Sequence, residues 1–215
     1  MYYTIQMSNF KLIKSNINVD VFLKELEQYL KNKEWETKRA QNIKVQENTK
    51  SITLRQGFLG TEEGNYQDKD QILKELMDSD NNELHKNNYK YFKKTYEYLE
   101  KFADDLDSQL STVIIATLSP KKRVHPHIDS GNYYKKRDRY HIPIKTNGSI
   151  NICGGETQEY KTGELWWFDN KKVHEAYNDS DEDRIHIIFD ILPKKRNFMK
   201  KIIDYIEKKR AEHYQ

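Results

Sequence analysis

Cysteine is nearly absent: Cys153 is the only one in 215 residues, so no intramolecular disulfide can form. The opening segment MYYTIQMSNFKLIK lacks the continuous apolar stretch of a secretory leader, and a reducing, cytoplasmic setting is expected. No apolar run approaches the ~18 residues of a spanning helix, which argues against a membrane partner. An excess of one charge is missing too. The 37 Lys and Arg against 34 Asp and Glu leave +3, so composition gives no case for a nucleic-acid partner. There is no internal repeat. What the chain does have is aromatic bulk, with 15 Tyr, 8 Phe and 3 Trp, enough apolar area to build a core beneath a surface that is rich in charge.

The length suits a single domain, 1–215, read as a helical or mixed N-terminal part (1–110), a barrel core holding a metal site (111–192) and a C-terminal helix (193–215). In DVFLKELEQYLK, Phe22, Leu23, Leu26, Tyr29 and Leu30 recur at helical spacing with Asp20 as a plausible N-cap. A second helix is predicted from Asn88 to Asp107 along the stripe Phe92, Tyr96, Leu99, Phe102 and Leu106, which reads as core. Residues 57–70 read as a polar loop and 71–77 as a short helix. From about Ser111 the pattern changes to short β-rich runs, RYHIPIKT, NGSINIC, ELWWFD, VHEAYN and RIHIIFDIL, separated by SGN, GGETQ and NDSDED. In ELWWFD, Trp166 and Phe168 share one face and Trp167 the other, as a buried barrel strand requires. Helical spacing returns through Met199, Ile202, Ile203 and Ile206. The expected fold class is α+β: a jelly-roll-like barrel with flanking N-terminal helices and one C-terminal helix.

The chemistry-bearing segment is VHPHIDSGNYY, where His127 and Asp129 would share a face if the strand continued through both. His174, in WFDNKKVHEAYN, is the candidate third ligand. Two neutral imidazoles and one carboxylate on one face of an octahedral ion leave open positions, the arrangement of non-haem Fe(II) oxygenases. An HxD pair by itself recurs by chance, and a lone histidine is more often structural. The strand after His174 adds to the reading. In RIHIIFDI, Arg184, His186, Ile188 and Asp190 occupy one face, and an inward Arg184 needs an anionic partner that an exogenous dicarboxylate could supply. The competing reading pairs Arg184 with Asp179, Asp181, Glu182 or Asp183, or leaves it in solvent. In RDRYHIPI, Arg139 and His141 likewise share a face, as anion-binding groups or as part of a basic solvent-facing strand. His125 would also face the site on a regular strand, but Pro126 disturbs the local geometry.

These three segments, VHPHIDSGNYYKKRDRYHIPI, TGELWWFDNKKVHEAYN and RIHIIFDI, occur in an order that resembles the aspartyl/asparaginyl β-hydroxylase family of Fe(II)- and 2-oxoglutarate-dependent oxygenases, over roughly Thr112 to Leu192. The resemblance implies a double-stranded β-helix of cupin-like type. It implies iron bound by His127, Asp129 and His174, and Arg184 paired with the far carboxylate of 2-oxoglutarate. Arg139 and His141 would meet the carboxylate beside the keto group. The family also places a hydroxyl on the strand before the first ligand, near Ala116 or Thr117; alanine cannot donate, which leaves Thr117 as the candidate. With Asp129 present where some relatives carry glycine, the implied reaction is hydroxylation rather than halogenation, using O2 and releasing succinate and CO2. The resemblance gives His125 no ligand role. The expected substrate is an amino acid or an amino-acid residue: a free amino acid fits a short chain with no peptide-binding repeat array, and an Asp or Asn side chain in a peptide or protein is the alternative. A barrel that binds a metal or small acid without catalysing is the reading from a different class. Residues 57–70, Gly131–Lys136 and Gly154–Glu159 are the loops expected near substrate.

Overall fold

The computed structural model describes residues 8–56, 83–84 and 86–194. The loop expected at 57–70, the short helix at 71–77 and the C-terminal helix fall outside the described residues.

Helix α1, Asp20–Leu30, buries Phe22, Leu26 and Tyr29, the stripe that its spacing predicts. Asp20 is its first residue rather than its cap: the Asp20 N–H donates to Asn18 Oδ1 at 3.0 Å. The second helix begins later than expected. Asn88 lies in a separate helical turn, Lys86–Tyr89, tied to the neighbouring strand by Asn88 Nδ2 donating to the Thr53 carbonyl at 2.8 Å. Helix α2 then runs Lys93–Asp105 and buries Thr95, Tyr96, Leu99 and Ala103. Its start is fixed from outside, because the Glu25 carboxylate accepts the N–H groups of Lys94 and Thr95 at 2.7 and 3.0 Å and the Thr95 hydroxyl at 2.8 Å. A carboxylate from α1 thus satisfies two of the donors that every helix N-terminus leaves open.

The strands are β1 (Phe10–Lys14), β2 (Thr49–Gln56), β3 (Glu83–Leu84), β4 (Ser108–Leu118), β5 (Arg123–His127), β6 (Asp138–Lys145), β7 (Ser149–Cys153), β8 (Glu156–Tyr160), β9 (Leu165–Phe168), β10 (His174–Asn178) and β11 (Arg184–Pro193). They form one sheet in the order β1-β9-β6-β11-β4-β2-β3 and a second in the order β5-β10-β7-β8. From β4 onward the chain alternates between the sheets, with β4, β6, β9 and β11 central in the first and β5, β7, β8 and β10 making the second. All these pairings are antiparallel. This is a double-stranded β-helix, the jelly-roll expected from the strand pattern.

Two differences from the sequence reading matter. The N-terminal part supplies strands as well as helices, β1 pairing with β9 and β2 with β4, so the larger sheet extends across the expected boundary near Ser111. The segment GGETQ, read as a separator, holds the start of β8, whose residues are mostly solvent-facing and which buries only Tyr160. Polar composition hid it, since an edge strand with one wet face has little apolar signal.

The outer face of the larger sheet packs on the helices through Val113, Ile115, Ile142, Ile187 and Phe189, together with Phe22, Tyr96 and Leu99. Trp167 joins this layer, while Trp166 and Phe168 join a smaller cluster with Phe10, Cys153 and Tyr160, the division that their alternation predicts. Among the described residues no helix is long and apolar enough to cross a membrane. Phe189 is fully buried, edge-on to Phe102 at 5.7 Å and stacked on Tyr140 at 5.4 Å. Phe189→Ala is expected to cost about 3–5 kcal/mol of stability in urea denaturation; a loss below about 1 kcal/mol would contradict this packing.

Candidate active site

The space between the two sheets holds a cavity lined from the larger sheet by Ile114, Arg139, His141 and Arg184 and from the smaller by His127 and His174, among others. His127 ends β5 and His174 begins β10, and the two are direct cross-strand partners. The next pairs are Ala176 with Val124, so β5 contains one residue more than β10 over this stretch. This β-bulge at His125 and Pro126 puts Val124 and His127, rather than His125, on the cavity face. His125 instead turns outward, its Nε2 3.2 Å from Glu47 Oε1.

Both cavity histidines are held through Nδ1. His127 Nδ1 donates to the His125 carbonyl at 2.8 Å and His174 Nδ1 to the Lys172 carbonyl at 2.9 Å. A carbonyl only accepts, so the proton of each neutral ring sits on Nδ1 and the Nε2 lone pair is the free ligand atom. Asp129 lies just past the end of β5, not on a strand, and its backbone N–H donates to the Asn170 carbonyl at 3.1 Å. Loop pairing, not strand alternation, therefore brings it to the histidines. Asp129 Oδ1 is 3.7 Å from His127 Nε2 and Oδ2 is 3.9 Å from His174 Nε2, and one ligand atom from each of the three residues lies within 4.8 Å of the others.

Asp129 Oδ2 accepts from Arg139 Nη1 at 2.7 Å and from Asn170 Nδ2 at 2.9 Å, which leaves Oδ1 as the less engaged oxygen. Burial opposes the Asp129 charge, but Arg139, His174 and Asn170 outweigh it and hold the carboxyl below the usual range. Burial above all keeps His174 below its ordinary value, hence neutral. Charged carboxylate and neutral imidazole are the states that coordinate a cation.

Arg139 reaches further than Asp129. Its Nε and Nη2 fork onto Asp190 at 2.8 and 2.9 Å, so each of its three nitrogens meets a carboxylate of the chain. Tyr133, from the turn of helix Asn132–Lys135, donates to Asp190 Oδ2 at 3.1 Å. His141, expected beside Arg139, lines the cavity and is buried. Thr117 does not join them. Ile114 and Ala116 of β4 face the cavity, whereas Thr117 alternates with Val113 and Ile115 toward the helices, and it is set aside as a co-substrate contact.

Arg184 lies at 5% exposure with Nε and Nη2 against the His186 ring at 3.0 and 3.1 Å, and Nη1 has no partner. None of the acids in the competing reading reaches it. Asp179 and Asp181 sit at Lys121, Glu182 pairs with Lys145, and among the described residues no carboxylate bridges Arg184. Burial lowers its pKa to about 10, a direction opposite to that of Arg139, which its two carboxylates raise against the same burial.

Residues 16–193, well over half of the chain, match the family model described as aspartyl/asparaginyl beta-hydroxylase. The chain belongs to this family. It is accordingly a hydroxylase of the 2-oxoglutarate-dependent class. No curated protein matches it. Among solved structures, an oxidoreductase of the 2OG-Fe(II) oxygenase family from Burkholderia pseudomallei is similar at 10% identity and TM-score 0.46, covering 80% of this chain and 78% of that one. A predicted oxalate decarboxylase from Thermotoga maritima shares 16% identity at TM-score 0.33, over 43% of this chain and 73% of that one. A cupin domain from Bordetella pertussis shares 16% at TM-score 0.30, over 39% and 90%.

Three residues of the hydroxylase's site escaped the sequence reading or were given no role in it. Asn170 sits in a turn with no periodicity, Tyr160 ends a strand whose other residues, Glu156–Glu159, read as a loop, and Asp190 was seen on the right face without its partner. The buried histidines add a pH dependence. His141 and His186 are held well below the ordinary histidine value, first by burial and then by Arg184. The unfolded chain therefore binds more protons below pH ~6.5, so stability is full above that pH and falls as pH drops. The urea midpoint of the hydroxylase is expected to decline from pH 7 to pH 5, and less so in His186→Asn; a flat midpoint in the parent would contradict neutral burial.

Proposed function

We propose that this hydroxylase holds Fe(II) through His127, Asp129 and His174, takes 2-oxoglutarate as co-substrate with its far carboxylate at Arg184, and uses O2 to hydroxylate a C–H bond of an amino acid or amino-acid residue, with release of succinate and CO2. The observation that carries the reading is Arg184. A guanidinium buried without a carboxylate, lining the same cavity as His127 and His174, whose ring nitrogens converge with the Asp129 carboxylate, fits an anionic ligand that spans the two.

The donor set fits the metal: two Nε2 atoms in the correct tautomer and an ionised carboxylate make the facial triad of non-haem iron sites. Fe(II) bound there would supply the activation of O2 by the keto acid, which no side chain can perform. The chain's own groups do the rest. Arg139, clamped by Asp190, holds Asp129 Oδ2, so the carboxylate cannot rotate freely when the cation arrives. His141 stands where it can meet the carboxylate beside the keto group. Ile114, Ile188 and Phe168 wall the cavity and keep water from the reacting atoms.

Asp129 supports hydroxylation over halogenation, since its carboxylate fills the position that a halide needs. A cytoplasmic protein acting on a small molecule or peptide, without nucleic acid, agrees with the near-balanced charge.

Anaerobic addition of Fe(II) and 2-oxoglutarate to metal-free protein tests the site without knowledge of the substrate. The expected result is a weak visible charge-transfer band, lost in His174→Ala, that requires roughly tenfold to a hundredfold more 2-oxoglutarate in Arg184→Ala, the worth of a hydrogen bond to a charged group. Folded, metal-loaded protein without the band would favour the binding barrel that does not catalyse.

A further inference from the structure

The resemblance to the family calls for a hydroxyl on β4 near Ala116 or Thr117; Ala116, which pairs with His186, lines the cavity without one, and Thr117 is not among the lining residues. The opposite sheet presents one instead. Tyr160, the last residue of β8, is 1% exposed, lines the same cavity as Arg184, and its hydroxyl has no partner. Two buried polar atoms without partners, Tyr160 Oη and Arg184 Nη1, thus belong to side chains that line one cavity, one from each sheet.

The Tyr160 ring is fixed. It stacks on Trp166 at 5.0 Å and 6° and on His186 at 6.1 Å and 22°, and meets Phe10 edge-on at 6.0 Å. His186 in turn lies against the Arg184 guanidinium, so one packed group of rings sets the places of both donors. A phenol in this setting keeps its proton, because burial raises its pKa well above the ordinary value. It can therefore donate to an anion, and leaving such a donor unmatched is unfavourable.

We propose that the Tyr160 hydroxyl donates to the far carboxylate of the 2-oxo acid beside Arg184, and that this pair, drawn from opposite sheets, makes the site select a dicarboxylic over a monocarboxylic 2-oxo acid. The inference rests on the co-substrate reading above and adds the residue that substitutes for the missing β4 hydroxyl. Arg184 supplies charge, and Tyr160 supplies direction at a fixed depth. Neither touches the metal ligands, so the effect is confined to one end of the ligand.

The test is titration of Fe(II)-loaded protein without O2, with 2-oxoglutarate and separately with 2-oxopentanoate, which has the same keto-acid head and no far carboxylate. Tyr160→Phe keeps the stacked ring. It is expected to raise the half-saturating concentration of 2-oxoglutarate roughly tenfold or more while leaving 2-oxopentanoate and metal affinity unchanged. The ligand-free variant should melt no lower than the parent, since it loses only an unmatched hydroxyl. Equal 2-oxoglutarate affinity in parent and variant would overturn this inference alone. So would an equal loss for both acids, or a lower melting temperature without ligand, either of which makes the hydroxyl structural. A parent that shows no band with 2-oxoglutarate would overturn the co-substrate reading and this inference together.

Discussion

Arg139 and Arg184 both line the cavity between the sheets, and the chain meets their charges in opposite ways. Arg139 is enclosed by Asp129 and Asp190, and the three form a unit whose charge is largely cancelled. Arg184 has the edge of a neutral imidazole and no carboxylate among the described residues. Removing a cation from water without a counter-charge is among the least favourable things a fold can do, and it persists only where the surrounding structure enforces it or a ligand completes it. Arg184 lines the same cavity as His127 and His174, where the proposed co-substrate would complete it.

The architecture explains why these groups converge. Alternation between two sheets sets the cavity faces of β4, β6, β9 and β11 opposite those of β5, β7, β8 and β10. A bulge in β5 then rejects His125 and selects His127. The loop from Asp169 to Lys172 provides the carbonyl that orients His174 and the amide and carbonyl that hold Asp129. Asn9, just before β1, braces that loop: its carbonyl accepts from the Asp169 N–H, its side chain donates to the Cys153 carbonyl, and Lys172 donates to Asn9 Oδ1. A segment far away in sequence thus stabilises the geometry of the ligand atoms.

Much of this could be read from residue order. The period-two runs located β6, β7, β9, β10 and β11, and the alternation in RIHIIFDI separated Arg184 from the core residues Ile187 and Phe189 because one face is polar and the other is not. What could not be read depended on partners distant in sequence. The role of Arg139 as a strut needs Asp190, and the start of α2 needs Glu25; neither pairing leaves a local pattern. Tyr160 was hidden because its strand is otherwise wet, and β2 because TKSITLRQ buries only part of a short run in a segment dominated by helical signals. The position of Asp129 was expected from strand geometry, yet a loop hydrogen bond delivers it.

The most direct measurement is a crystal structure of the protein grown without O2 in the presence of Fe(II) and 2-oxoglutarate, with iron located by its anomalous scattering. The account predicts one iron on His127 Nε2, His174 Nε2 and an Asp129 oxygen, and the far carboxylate of 2-oxoglutarate on Arg184 Nη1. An iron elsewhere, or an Arg184 guanidinium neutralised by a carboxylate of the protein itself, would contradict it.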